Sequence, residues 1–186
     1  MDFTKKQFKV ISYALQHLHA PIESFSKAHS ISGKYYFIDG HRLFVSDIDF
    51  GFEHADAGAT WRNAESLVKD ALKAADDRIT LRRDDIQAFI KARGLKRSKR
   101  YFDVEDRYIF ETEKKRYIAF NPFYLLDYID FTGADVALCS SKSVKAPMVD
   151  ADGRALVLPV NITATFTRSD FDAWRDRYFV EIATAI

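Results

Sequence analysis

An α+β fold is the class this sequence predicts, made of duplicated strand–helix–strands units with helices on one face of antiparallel sheets. Three observations predict it. Apolar residues make up 47% of the 186, with 16 Phe and 9 Tyr among them, enough to fill a packed core. Short β-rich runs separated by turn signals outnumber the amphipathic helical stretches. The pattern also restarts near residue 78, a period of roughly 80 residues and longer than that of solenoid repeats.

Taken in order, Thr4 to Leu18 places Phe8, Ile11, Leu15 and Leu18 on one helical stripe, with Lys5, Lys9, Ser12, Gln16 and His19 on another. A short strand over Met1–Thr4 is expected ahead of it. Residues 34–38 and 42–50 are rich in β-formers and flank Asp39-Gly40, a hairpin signal. Thr60 is a candidate cap for a second helix whose apolar stripe is Ala64, Leu67, Val68, Ala71, Leu72 and Ala75. Arg62, Ser66, Lys69 and Lys73 lie on its other face.

The second unit opens with a strand over Arg78–Arg83. A helix capped by Asp84 follows, burying Ile86, Phe89 and Ile90 and stopping near Gly94. Tyr101–Phe102, Arg107–Glu111 and Tyr117–Phe120 read as strands, the last two joined by a turn at Glu113-Lys114-Lys115. Asn121-Pro122 starts a helix over Phe123–Phe131, and Thr132-Gly133 ends it. Strands are expected over Asp135–Ser140, Val144–Val149 and Arg154–Ile162, then a final helix capped by Ser169. The division expected is 1–77 and 78–162, with 163–186 as an extension carrying that helix.

The net charge of +1 hides a gradient. Residues 1–77 carry a net −2, residues 78–100 a net +7 and residues 101–186 a net −4. The tract from Lys91 to Arg100 holds Lys91, Arg93, Lys96, Arg97, Lys99 and Arg100 with no carboxylate. It reads either as a solvated loop or as a contact for a phosphate backbone. No apolar run approaches the ~18–20 residues of a membrane span, and no signal peptide is seen at the N-terminus. The single Cys139 fits a reducing compartment. The expectation is a cytoplasmic protein without contact to membranes.

Three segments resemble parts of the bacterial sliding clamp, the β subunit of the replicative DNA polymerase. Ile38-Asp39-Gly40-His41-Arg42-Leu43-Phe44-Val45-Ser46 is similar to the Asp-Gly-His-Arg-Leu turn of the clamp's middle domain. Ala119-Phe120-Asn121-Pro122-Phe123-Tyr124-Leu125-Leu126-Asp127-Tyr128-Ile129 is similar to a helix entry in its last domain. Leu156-Val157-Leu158-Pro159-Val160-Asn161-Ile162 is similar to the clamp's closing strand. The family resembled is non-catalytic and needs no cofactor or metal. The resemblance implies a hydrophobic pocket for the peptide motifs of polymerases and repair proteins. Ile38, His41, Arg42 and Leu43 would form one side, and Ser143, Leu156, Leu158 and Pro159 the other. It also implies helices that face double-stranded DNA, with Lys5, Lys9, Arg62, Lys69, Lys73 and Lys91 on phosphates, blind to sequence. The fourth helix departs from this pattern, because Asp127 and Asp130 would repel a phosphate backbone. The chain is also short for the family. A homo-oligomer of three chains would restore six domains, whereas a reduced clamp that never encircles DNA, as a phage or plasmid product, would compete for clamp partners or inhibit a host protein.

One enzyme reading stands beside these. Asp47 and Asp49 sit two residues apart, on one face of an expected strand, as in the metal-holding pair of nucleotidyltransferases. The family's upstream Gly-Ser is missing. The five histidines form no metal-ligand spacing, and neither a P-loop, nor a dinucleotide fingerprint, nor a nucleophile elbow is found.

Overall fold

The computed structural model describes residues 3–16, 26–55, 63–97, 106–143, 145–160 and 166–184, with 178–184 as backbone alone. The order is α1 (Phe3–Gln16), β1 (His29–Ile31), β2 (Lys34–Ile38), β3 (Arg42–Ser46), α2 (Ala64–Ala74), β4 (Asp77–Thr80), α3 (Arg83–Ala92), β5 (Tyr108–Glu111), β6 (Tyr117–Phe120), α4 (Pro122–Thr132), β7 (Val136–Cys139), β8 (Met148–Val149), β9 (Ala155–Val157) and α5 (Arg168–Thr184). The fold is α+β, and all its strand pairs are antiparallel.

Seven strands form one sheet in the order β1-β2-β3-β9-β8-β7-β4, and β5-β6 form a separate hairpin. β3 lies beside β9, so the sheet takes strands from both sides of residue 77. The chain beyond β9 then reaches the hairpin, where the Val160 N–H donates to the Ala119 carbonyl at 2.8 Å.

Side-chain alternation gives the sheet two apolar faces. Phe37, Phe44, Ala155, Val157, Met148 and Ala137 point to a large core shared with α1, α3, α4, the hairpin and the start of α5. Tyr36, Ile38, Leu43, Val45, Leu156 and Val149 point the other way, to a smaller core closed by Ala64 and Val68 of α2. The second helix therefore lies across the sheet from the first and fourth. The physical reason is in β3, where all five residues are buried and an uncovered face would have left Leu43 and Val45 in water.

Local chemistry explains most boundaries. In α4, Asn121 Oδ1 accepts the Phe123 N–H at 2.9 Å, Pro122 occupies the first turn, and Gly133 closes the helix at φ 71°. The final helix is capped by Thr167 rather than Ser169. Thr167 and Asp170 exchange bonds, the Thr167 hydroxyl and N–H donating to Asp170 Oδ2 at 2.7 Å, in a reciprocal capping box. These bonds hold the Asp170 carboxyl below its usual value. Phe3 and Thr4 are helical rather than strand, and β3 ends at Ser46 instead of Phe50. The three-residue strand β1 has no counterpart in the sequence reading. The expected strand at Tyr101–Phe102 and the cap at Thr60 lie outside the described residues.

The phase of α1 also differs. Its buried line is Gln7, Val10, Ile11, Ala14 and Leu15, while Phe8 is 45% exposed and stacks on Phe52 with ring centroids 5.4 Å apart. Gln7 is drawn inward because its amide donates to the Phe131 carbonyl at 3.0 Å, satisfying an end group of α4.

Gly153, in the β8–β9 turn, presses on α2. Its φ is 70°, and a Cβ there would stand 2.9 Å from Val68 Cγ1 and 3.4 Å from Leu72 Cδ1. Gly153→Ala is therefore expected to cost about 1–3 kcal/mol, from backbone strain and overpacking together. A urea-unfolding midpoint equal to that of the wild type would contradict this.

Candidate nucleic-acid interface

The helices α1 and α4 pack against one another on the large-core side of the sheet. Between them lies a cleft of about 530 Å3 lined by Lys6, Lys9, Val10 and Tyr13 of α1, Arg83, Arg97, and Asp127 and Asp130 of α4. Its charges are ordered rather than mixed. Arg83 holds Asp130 through two bonds, at 2.8 and 3.2 Å. Arg97 Nη1 bonds both oxygens of Asp127, at 2.8 and 2.7 Å.

Behind Asp127 sits Arg42, only 2% exposed. Its guanidinium bonds Asp127 on one side and Asp39 on the other, with Nε to Asp39 Oδ2 at 2.8 Å. Asp39 also accepts the backbone N–H groups of His41 and Arg42, at 2.9 and 2.7 Å. The Arg42 guanidinium lies over the Tyr124 ring at 4.2 Å, and that of Arg97 over Tyr13 at 4.7 Å. Burial works against the charge on Arg42, but the carboxylates Asp39 and Asp127 outweigh it and keep the guanidinium protonated. Burial also pushes the Tyr124 phenol up, so it stays neutral.

This network changes the meaning of α4. The expectation that Asp127 and Asp130 repel phosphate is corrected: each carboxylate is already bonded to arginine, and Asp127 is buried as well. Lys5, Lys6 and Lys9 of α1 have no ion-pair partner among the described residues. The lining of the cleft therefore carries four cations against two carboxylates, both neutralised.

The other DNA positions named from sequence are dispersed. Lys91 lies exposed in the last turn of α3, Arg93 is paired with Asp106 at 2.9 Å, and Lys96 is exposed in the following loop. Arg97 is committed to Asp127. Lys69 and Lys73 stand on α2, across the sheet from α1, and Lys69 is bonded to Glu65 at 2.8 Å. Arg62, Lys99 and Arg100 lie outside the described residues. The sequence reading missed Lys6, Arg83 and Tyr13 as cleft residues. Lys6 had a signal, its i, i+3 spacing from Lys9, whereas Arg83 and Tyr13 had none.

Of the pocket positions, Ile38, Arg42, Leu43 and Leu156 occupy the neighbouring strands β2, β3 and β9. Leu43 pairs with both Ile38 and Leu156, and the Leu158 N–H donates to the His41 carbonyl at 2.8 Å. Ile38, Leu43 and Leu156 are buried beneath α2, and Arg42 faces the opposite side, inside the ion network. His41 is exposed and stacks on Tyr124, Leu158 is 40% exposed, and Pro159 is half-buried. Ser143 is exposed in the β7–β8 connection, its hydroxyl accepting the Lys145 N–H.

Neither a protein-family model nor a curated protein matches the chain. Among solved structures it is similar to one from Eubacterium rectale described as "Putative DNA polymerase III beta subunit". The two share 15% identity at a TM-score of 0.47, over 84% of this chain and 64% of that one. The chain thus spans less than two thirds of its neighbour's length. A likeness of this level assigns no role to any residue.

The carboxylate pair of the enzyme reading is placed differently from expectation. Asp47 and Asp49 fall in the turn after β3, not on the strand. Asp47 meets Lys34 at 3.8 Å, and Asp49 meets His54 at 3.2 Å while accepting the Gly51 N–H. Both are exposed, and no cluster of three metal-ligating side chains exists among the described residues. Cys139 is buried at the end of β7, and burial beside Asp77 and Asp76 pushes its thiol up to about 12, which disfavours the nucleophilic thiolate. No helix among the described residues is long and apolar enough to cross a membrane.

A second carboxylate knot fastens the far edge of the sheet. Asp76 accepts the Ser141 N–H at 2.6 Å, the Ser141 hydroxyl at 2.7 Å and the Lys114 ammonium at 2.9 Å. These bonds, led by the Ser141 N–H, hold its carboxyl far below the usual 3.8. Because the folded value is depressed, the stabilisation is whole above the ordinary carboxylate value and is lost as acid protonates the folded form. Asp76→Asn should therefore lower the melting temperature at neutral pH. The gap to wild type should begin to narrow as pH falls below about 4 and close only as the depressed folded carboxyl itself protonates. A gap that stays constant with pH would contradict the assignment.

Proposed function

We propose that the protein binds double-stranded DNA without reading its sequence, through phosphates that meet the α1–α4 face, and acts as a non-catalytic clamp-like binding module. One observation carries this reading. Both carboxylates of α4 are taken up by Arg42, Arg83 and Arg97, which leaves Lys5, Lys6 and Lys9 as the uncompensated charge of that face. Among the described residues no array of base-reading donors accompanies them, and phosphate contacts position a duplex without specifying sequence. The order of the clamp-like segments agrees with this reading, since those around Arg42 and Leu156 form neighbouring strands and the third forms α4.

The test is duplex binding followed by fluorescence anisotropy over a range of salt. Affinity should fall linearly on a logarithmic plot, with a slope of about −0.9 per phosphate engaged, and should be the same for unrelated sequences. A flat response would overturn the reading. Mass in solution with and without DNA then separates a closed homo-oligomer from a reduced clamp that competes for partners.

Peptide docking stands second, on the single observation that Leu158 is exposed beside His41 and Pro159. The apolar positions that would deepen such a groove are already filled by α2.

A further inference from the structure

We propose that the cleft between α1 and α4 binds a phosphate monoester carrying an organic body of about nucleotide size, with Lys6 and Lys9 on one wall and Arg83 and Arg97 on the other. It rests on the same cationic α1 as the DNA reading but concerns a different ligand group. A backbone diester carries one charge, and any exposed lysine can meet it. A monoester carries nearly two at neutral pH, and a cleft whose lining sums to four cations and two carboxylates matches that charge.

The geometry favours an anion held from two sides. Lys6 and Lys9 are one turn apart on α1, with long flexible ammonium arms and no partner among the described residues. Arg83 and Arg97 are fixed in place opposite, Arg83 by Asp130 and Arg97 by Asp127 and by stacking on Tyr13 and Phe123. A guanidinium bonded to a carboxylate through one edge keeps other N–H groups for a second anion. The pre-set arginines thus fix orientation, and the two lysines close on the ligand.

The cleft is also larger than a bare phosphate needs. Its 530 Å3 falls within the ~300–1,000 Å3 range of small-molecule sites. Val10 and Tyr13 add apolar atoms to the lining beside the charges, with the Tyr13 ring under the Arg97 guanidinium, so an organic group would meet that arginine-capped edge of the cleft.

Calorimetric titration with thymidine 5′-monophosphate in low-salt buffer tests this. Saturable binding of one ligand per chain is expected, with no response to thymidine and much weaker binding of inorganic phosphate. The double variant Lys6→Gln/Lys9→Gln should lose about tenfold or more in affinity, with an unchanged circular dichroism melt. Absence of saturable binding would overturn the proposal, as would equal binding by the double variant. A 5′-hydroxyl duplex reports the DNA reading separately, because it lacks any monoester, so either reading can fail alone. Tighter binding of a 5′-phosphorylated duplex than of that control assigns the monoester to a strand end. Equal binding of the two duplexes assigns it to a free nucleotide.

Discussion

Arg42→Met is expected to destabilise the protein by about 3–5 kcal/mol, the cost of breaking a buried ion network from its centre. Arg42 joins two carboxylates that are themselves buried, Asp39 in the β2–β3 turn and Asp127 on α4. Without the guanidinium, Asp39 keeps the two backbone N–H groups, and Asp127 keeps Arg97, which is partly exposed. Methionine fills much of the volume but supplies no donor. The penalty is therefore one of unpaired charge rather than of lost packing. Combining Arg42→Met with Asp39→Asn separates the two causes, since the double variant should be less destabilised than the sum of its single changes. Urea unfolding followed by circular dichroism measures each variant. Strict additivity, or a loss below about 1 kcal/mol, would show that water reaches the network and screens it.

The second large effect is on DNA. Replacing Lys5, Lys6 and Lys9 together by Gln should lower the affinity for a duplex at low salt and reduce the salt slope by about three, roughly one for each lysine. All three lie on α1 outside the buried line of Gln7, Val10, Ile11, Ala14 and Leu15, so the fold should be unaffected. Lys69→Gln/Lys73→Gln on α2 is the control. It removes charge from the opposite side of the sheet and should leave the slope nearly unchanged. Losses in proportion to the charges removed, three against two, would mean that binding follows total charge and not the α1–α4 face.

Much of the architecture is legible where local punctuation is strong. Asn121-Pro122 and Gly133 fix both ends of α4, Asp39-Gly40 marks the β2–β3 turn, and Tyr117–Phe120 is a strand within its expected bounds. In each case the signal lies within a few residues of the feature it produces. What stayed hidden depends on contacts far apart in sequence. The side chosen by α2 follows from the double-sided burial of β3, hinted at by Leu43-Phe44-Val45, in which no polar residue alternates with the apolar ones. Asp127 and Asp130 read as repulsive charges because their arginine partners are 30 to 85 residues away. The inward turn of Gln7 depends on a carbonyl of α4, which no periodicity reports.

The placement of β3 beside β9 has a consequence for biosynthesis. Leu43 meets a partner that leaves the ribosome about 110 residues later. At translation rates of ~5–20 residues per second, that is a wait of roughly 6 to 20 s. During that interval the nascent β1–β3 meander presents an open hydrogen-bonding margin with apolar side chains on both surfaces, a template for wrong partners. Slow decoding downstream of β3 should therefore lower the yield of native chains, and a holdase that shields this margin should restore it.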